Sequence, residues 1–224
     1  MMSLASGKHV MRQTALSFRS GNLTLEGVLA SPGDAATACP GVVLCHPHPL
    51  MGGTMDNAVI LAVSRALLEQ GISTLRFNFR GVGKSEGTYD EGEGEKDDAA
   101  AALQVMGKLP GISGKRLGLV GYSFGAVVSL AGLAQYGRIR AMALVSPPLR
   151  AFEGLKESKP GVPKLVVSGD RDQVVDSEAL GEAVPARLEG AELKIIPGAN
   201  HVWAGLVSSA ADEVARFLAP HLVG

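Results

Sequence analysis

The sequence predicts an α/β fold: a three-layer α/β/α sandwich built on a mostly parallel sheet of about eight strands. Three observations predict it. Apolar runs of strand length alternate with segments of helical period along most of the 224 residues. The chain opens differently, with two alternating apolar–polar runs around a turn, which is the pattern of an antiparallel hairpin. Polar clusters holding Gly, Ser, Asp and His then follow several of the apolar runs, and sites in such sheets lie at the C-terminal ends of strands.

The elements follow in order. Residues 15–19 and 23–29 alternate around Ser20, Gly21 and Asn22, giving the hairpin. Residues 41–45 are wholly apolar beyond Gly41 and read as a buried strand. Asn57 opens a helix through Leu68, ended by Gly71. Residues 73–79 form the next strand, followed by an acidic, Gly-rich loop and an Ala-rich helix over 95–109 that Pro110 and Gly111 stop. Strand 117–121 runs into helix 124–135, and strand 141–145 is broken by Pro147 and Pro148. Strand 164–167 precedes a helix over 177–188 that Pro185 interrupts. Residues 193–196 give the last strand, and 210–218 a closing helix with Pro220 after it. Residues 1–14 read as a flexible extension and 15–224 as a single domain. The stretch 146–163, with four prolines and little amphipathic pattern, is too short for an independent cap domain.

Length allows one substantial core. The net charge of −1 mixes both signs without a basic stripe, which argues against a nucleic-acid partner. Residues 1–13 carry Lys8, His9 and Arg12 but no continuous apolar stretch, unlike a signal peptide. No apolar run reaches membrane-spanning length, so no membrane partner is expected. Cys39 and Cys45 sit six extended steps apart, roughly 20 Å, beyond the ~7 Å limit for a disulfide. Reduced thiols without an export signal point to the cytoplasm. The oligomeric state is left open, with a homodimer among the options.

The chemistry centres on Gly121-Tyr122-Ser123-Phe124-Gly125, a Gly-x-Ser-x-Gly placed between a strand and a small-residue helix. That is the context of a nucleophile elbow, in which the serine sits at a sharp, strained turn. Gly83-Lys84-Ser85-Glu86-Gly87 matches the same pattern, but a polar, acidic loop follows it, so Ser85 reads as structural. Asp172 and His201 each stand just past a later strand, and the order Ser…Asp…His is that of the α/β-hydrolase fold. A serine needs an imidazole to accept its proton, and the imidazole needs a carboxylate to fix its tautomer. Asp170 and Asp176 lie near Asp172, and Asp170 reads as a turn support. The oxyanion of the intermediate needs N–H donors; the backbone of Phe124 is one. The second falls in the loop 45–53, where Pro47 and Pro49 lack an N–H, leaving His48 or Leu50. Met51, Leu149 and Trp203 are the candidate pocket residues, with packing an equal option for Trp203.

The elbow, Asp172 and His201 resemble the α/β-hydrolase superfamily along essentially the whole chain. Residues 45–57 (CHPHPLMGGTMDN) and 77–98 (FNFRGVGKSEGTYDEGEGEKDD) more specifically resemble small, capless bacterial esterases related to dienelactone hydrolases. The resemblance implies acyl hydrolysis of a small-molecule ester without a cofactor. It carries nucleophile, acid and base onto Ser123, Asp172 and His201. Dienelactone hydrolases proper use a cysteine nucleophile, so their substrate is not implied here. Thioesters and lactones are alternatives for the same triad, and a non-enzymatic scaffold of this fold is a further one.

Two other readings fail on residues. Gly81-Val82-Gly83-Lys84-Ser85 looks like the end of a phosphate-binding loop, but the glycine required five positions before Gly83 is Asn78. His46 and His48 would share a strand face as metal ligands, but prolines interrupt the strand and no third ligand cluster accompanies them, so no metal is expected.

Overall fold

Along the central strands, successive residues are buried on opposite faces of one eight-stranded sheet. The computed structural model describes residues 11–33, 37–153, 155 and 161–224. β1 (Met11–Ser20) and β2 (Leu23–Pro32) form the antiparallel hairpin, and β2 pairs antiparallel with β4 (Ser73–Phe77). The remaining pairs are parallel: β3 (Cys39–Cys45), β5 (Ile112–Tyr122), β6 (Ala141–Val145), β7 (Lys164–Gly169) and β8 (Glu192–Ile196). Spatial order is β1-β2-β4-β3-β5-β6-β7-β8.

Both faces are covered. Val42 and Leu44 of β3, with Val120 of β5 and Ala143 of β6, pack under α1 (Ala58–Glu69) and α5 (Val207–Val223). Val43, Leu119 and Leu144 face the other way, under α2 (Glu93–Met106), α3 (Phe124–Ala131) and α4 (Ser177–Arg187). β3 and β6 are therefore continuous apolar runs, because a strand buried on both faces has no solvent side to leave polar. Asn57 caps α1, its Oδ1 accepting from Val59 N–H at 2.9 Å. Cys39 and Cys45 are buried free thiols.

Several boundaries differ from those the sequence predicts. β1 takes in residues 11–14 of the expected flexible extension, pairing Met11 with Pro32; residues 1–10 lie outside the described residues. α2 starts at Glu93 because the Glu95 carboxylate accepts from the N–H groups of Asp90 and Gly92, 2.9 and 2.8 Å away. α5 begins earlier and runs through Pro220 to Val223, since Leu222 extends its buried face by another turn. Between β6 and β7 the described residues hold one 3-10 turn, Leu149–Phe152, and no cap domain; residues 154 and 156–160 lie outside the described residues.

Candidate active site

The ends of β5, β7 and β8 bring three side chains into line. β5 ends at Tyr122 and α3 starts at Phe124, leaving Ser123 alone to reverse the chain at φ 53°, ψ −112°. Such a conformation costs a non-glycine residue about 1–3 kcal/mol and persists only where its surroundings impose it. Ser123 N–H donates to Val145 O at 2.8 Å, tying the turn to β6. The two elbow glycines are fixed by space. A Cβ on Gly121 would lie 2.4 Å from Gly125 O, and one on Gly125 would lie 2.2 Å from Cys45 O.

His201 stands in the turn after β8, with its Nε2 3.0 Å from Ser123 Oγ. Its Nδ1 lies 3.0 and 2.9 Å from the two oxygens of Asp172, whose side chain is fully buried. A carboxylate can only accept, so Nδ1 carries the proton, Nε2 is bare and the serine O–H donates to it. Asp172 Oδ1 also accepts from Val174 and Val175 N–H, both at 2.9 Å. Burial alone would push the Asp172 carboxyl up. The bonds from His201, Val174 and Val175, with the charge of His201, outweigh it and hold the carboxyl below its ordinary value. Tyr122 O–H donates to His201 O at 2.7 Å, so the elbow's own neighbour anchors the histidine loop.

The other two aspartates have separate tasks. Asp176 caps α4, accepting from Glu178 and Ala179 N–H. Asp170 accepts from Gly198 N–H at 2.6 Å, which corrects its expected role: it ties its loop to the one after β8 instead of bonding its own turn.

A cleft of about 440 Å³ opens over Ser123 and His201. His48 and Phe124 line it, and among the described residues neither backbone N–H has a partner. Leu50 N–H instead faces His48 Nδ1 at 3.3 Å within its own loop. The imidazole of His48 packs against the rings of Phe124 and Tyr89 at centroid distances of 5.0 and 5.1 Å. Burial, then the charge of Arg150, lowers the His48 pKa, against a smaller opposing pull from Glu95. His46 is withdrawn from any ligand: Nδ1 donates to Pro47 O at 2.7 Å and Nε2 accepts from Phe79 N–H at 3.1 Å.

Of the candidate pocket residues, Met51 lines the cleft. Trp203 does not. Its φ of 57° turns the indole into the core, fully buried, where Nε1 donates to Ser146 Oγ at 3.2 Å. Leu149 and Leu50 do not line the cleft: each is exposed on a short 3-10 turn. The sequence reading missed Tyr122, Val174 and Val202, although each adjoins a triad residue or lies within two positions of one. It also missed Arg150, which carries no motif.

Ser85 has no free hydroxyl. It donates to Asn78 O at 2.7 Å and accepts from Glu26 N–H at 3.1 Å, pinning a loop to β2. Further along the chain, Asp98 is buried and accepts from Arg80 Nε and Nη2 at 3.0 and 2.8 Å and from Ser20 Oγ at 2.7 Å. Part of the acidic stretch is therefore an internal brace for the loop after β4.

Comparison with known proteins agrees with this architecture. A family model for the alpha/beta hydrolase fold matches residues 42–162. An alpha-beta serine hydrolase homologue from Coxiella burnetii is similar at 33% identity and TM-score 0.81, over 91% of this chain and 96% of that one. A Xanthomonas campestris protein described as an a/b serine hydrolase without lid is similar at 28% identity and TM-score 0.81, over 95% and 96%. A dienelactone hydrolase from Anabaena variabilis shares the fold, with TM-score 0.79 at 20% identity over 96% and 100%.

Proposed function

The chain belongs to the α/β-hydrolase fold family, and on that premise we propose that it hydrolyses small carboxylic esters through an acyl-enzyme on Ser123. One observation carries the reading: Ser123 Oγ, the His201 ring and the Asp172 carboxylate form a continuous hydrogen-bonded line, with the serine at the elbow.

In this account Ser123 Oγ attacks the ester carbonyl carbon as His201 Nε2 takes its proton. Asp172 holds the tautomer and stabilises the imidazolium. The N–H groups of Phe124 and His48 receive the carbonyl oxygen as it gains charge. His201 then returns the proton to the leaving alcohol oxygen as the C–O bond breaks. Water, deprotonated by the same nitrogen, releases the acid and regenerates the serine.

The substrate size follows from the cleft. It is open and modest in volume, with Met51, Val174 and Val202 as exposed apolar edges. Each methylene contributes roughly 0.8 kcal/mol only when it is fully removed from water. Beyond a few carbons a chain would leave the cleft and gain little. A panel of 4-nitrophenyl esters tests both parts. kcat/KM is expected to peak at about acetate to butyrate, and Ser123→Ala to lose on the order of 10⁴–10⁶ in kcat. A profile rising steadily to chains of about ten carbons would contradict the size reading.

A further inference from the structure

Among the residues lining the cleft, Arg150 is the one whose side chain carries a permanent charge. Arg150 lies on the 3-10 turn Leu149–Phe152, whose Ala151 and Phe152 are buried as anchors. Ala151 N–H and Glu153 N–H close that turn on Pro148 O and Arg150 O, at 2.8 and 3.2 Å. Arg150, itself exposed, is thus held at the cleft by a fixed turn, not by a free loop.

Its position sets it apart: Arg150 is the arginine that lines the cleft, whereas the lack of an ion pair is shared, among the described residues, by Arg65, Arg138 and Arg171. Arg76, Arg80 and Arg216 each meet a carboxylate within the fold, at 3.4, 2.8 and 2.6 Å. Among the described residues, Arg150 has no ion pair, and no Asp or Glu lines the cleft. The acids that act on its neighbours His48 and Tyr89 are Glu95 and Glu91. Glu95 accepts from the N–H groups of Asp90 and Gly92 and, among the described residues, forms no ion pair with Arg150. The field of Arg150 reaches the oxyanion loop, since its charge disfavours protonation of His48.

We propose that Arg150 makes this site selective for esters bearing a carboxylate, which its guanidinium pairs while the ester carbonyl lies at Ser123. The inference rests on the reading of the site as an ester hydrolase and names its substrate class. A guanidinium presents a planar fork of donors matched to a carboxylate. Arg150 is exposed at the cleft, so the pairing is modest and open to screening by salt.

The test compares two matched pairs of esters in the intact protein. In one pair the anion is on the alcohol side, 4-acetoxybenzoate against its methyl ester. In the other it is on the acyl side, the 4-nitrophenyl monoester of adipic acid against 4-nitrophenyl hexanoate, each corrected for spontaneous hydrolysis. The expected result is a kcat/KM ratio favouring the anion by about fivefold or more in at least one pair, chiefly through KM. That ratio should shrink in high salt, fall to about one in Arg150→Met and be partly recovered in Arg150→Lys. A ratio below about fivefold in both pairs, or one unchanged in Arg150→Met, overturns the proposal. Neutral esters turned over through Ser123 would then still support the hydrolase reading. If no member of either pair is hydrolysed, both fall.

Discussion

Asp170, Asp172 and Asp176 crowd one loop after β7, and only Asp172 reaches His201. Each satisfies different backbone donors, so the three carboxylates separate by what they hold, not by their chemistry. Asp172→Asn puts an amide where the carboxylate accepted the Nδ1 proton, and it favours the wrong imidazole tautomer. A loss of roughly 10⁴ in kcat is expected, as when a triad aspartate becomes asparagine. Asp170→Asn weakens one bond between two loops, worth about 1 kcal/mol, and should cost far less activity. Steady-state kinetics on the two variants checks the ranking, and the reverse order contradicts it. At this scale the sequence was most legible where a residue's neighbours declare its context. Ser123 separated from Ser85 because a helix follows one and a polar loop the other. Trp203 stayed undecided between pocket and packing for the opposite reason, and the structure gives packing. Its direction depends on a positive φ that no residue type at that position announces.

At the scale of elements, the loop after β3 depends on a histidine that does not take part in the chemistry. His46 links β3 to the residue after Asn78, through Phe79 N–H, and its ring packs edge-on against the Phe79 ring at 4.8 Å. Burial pushes its pKa down to about 4 from the ordinary 6.5. Between those two values the unfolded chain binds a proton that the folded chain refuses. Stability is therefore fully present above about pH 6.5, declines as pH falls towards about 4, and is not lost further by this group below that. The window is worth on the order of 3 kcal/mol, at 1.36 kcal/mol per unit. Urea unfolding at about pH 7 and pH 4.5 should show the decline in the wild type and a smaller one in His46→Gln. Equal slopes would assign the decline to other groups. Strand and helix order was legible because period and breakers are local. The start of α2, the brace of Arg80 on Asp98 and the passage of α5 through Pro220 were not. Each is decided by a partner or a buried face elsewhere in the chain.

For the whole molecule, the sheet order places β5 centrally, and the loops after β3, β5, β7 and β8 meet at one end of it. That convergence was legible from three polar clusters at strand ends, because a parallel sheet presents the same end of every strand to one side. The content of the cleft wall was not, since Arg150 and Val202 arrive from turns whose side-chain directions only the folded chain sets. Among the described residues, no helix is long and apolar enough to cross a membrane. The central claim is that Ser123 is the activated nucleophile of this assembly. Incubation with a fluorophosphonate, followed by intact-mass measurement and peptide mapping, tests it most directly. The account predicts a single adduct on Ser123 in the wild type and in Ser85→Ala, and none in Ser123→Ala. An adduct on another residue, or full labelling of Ser123→Ala, would contradict it.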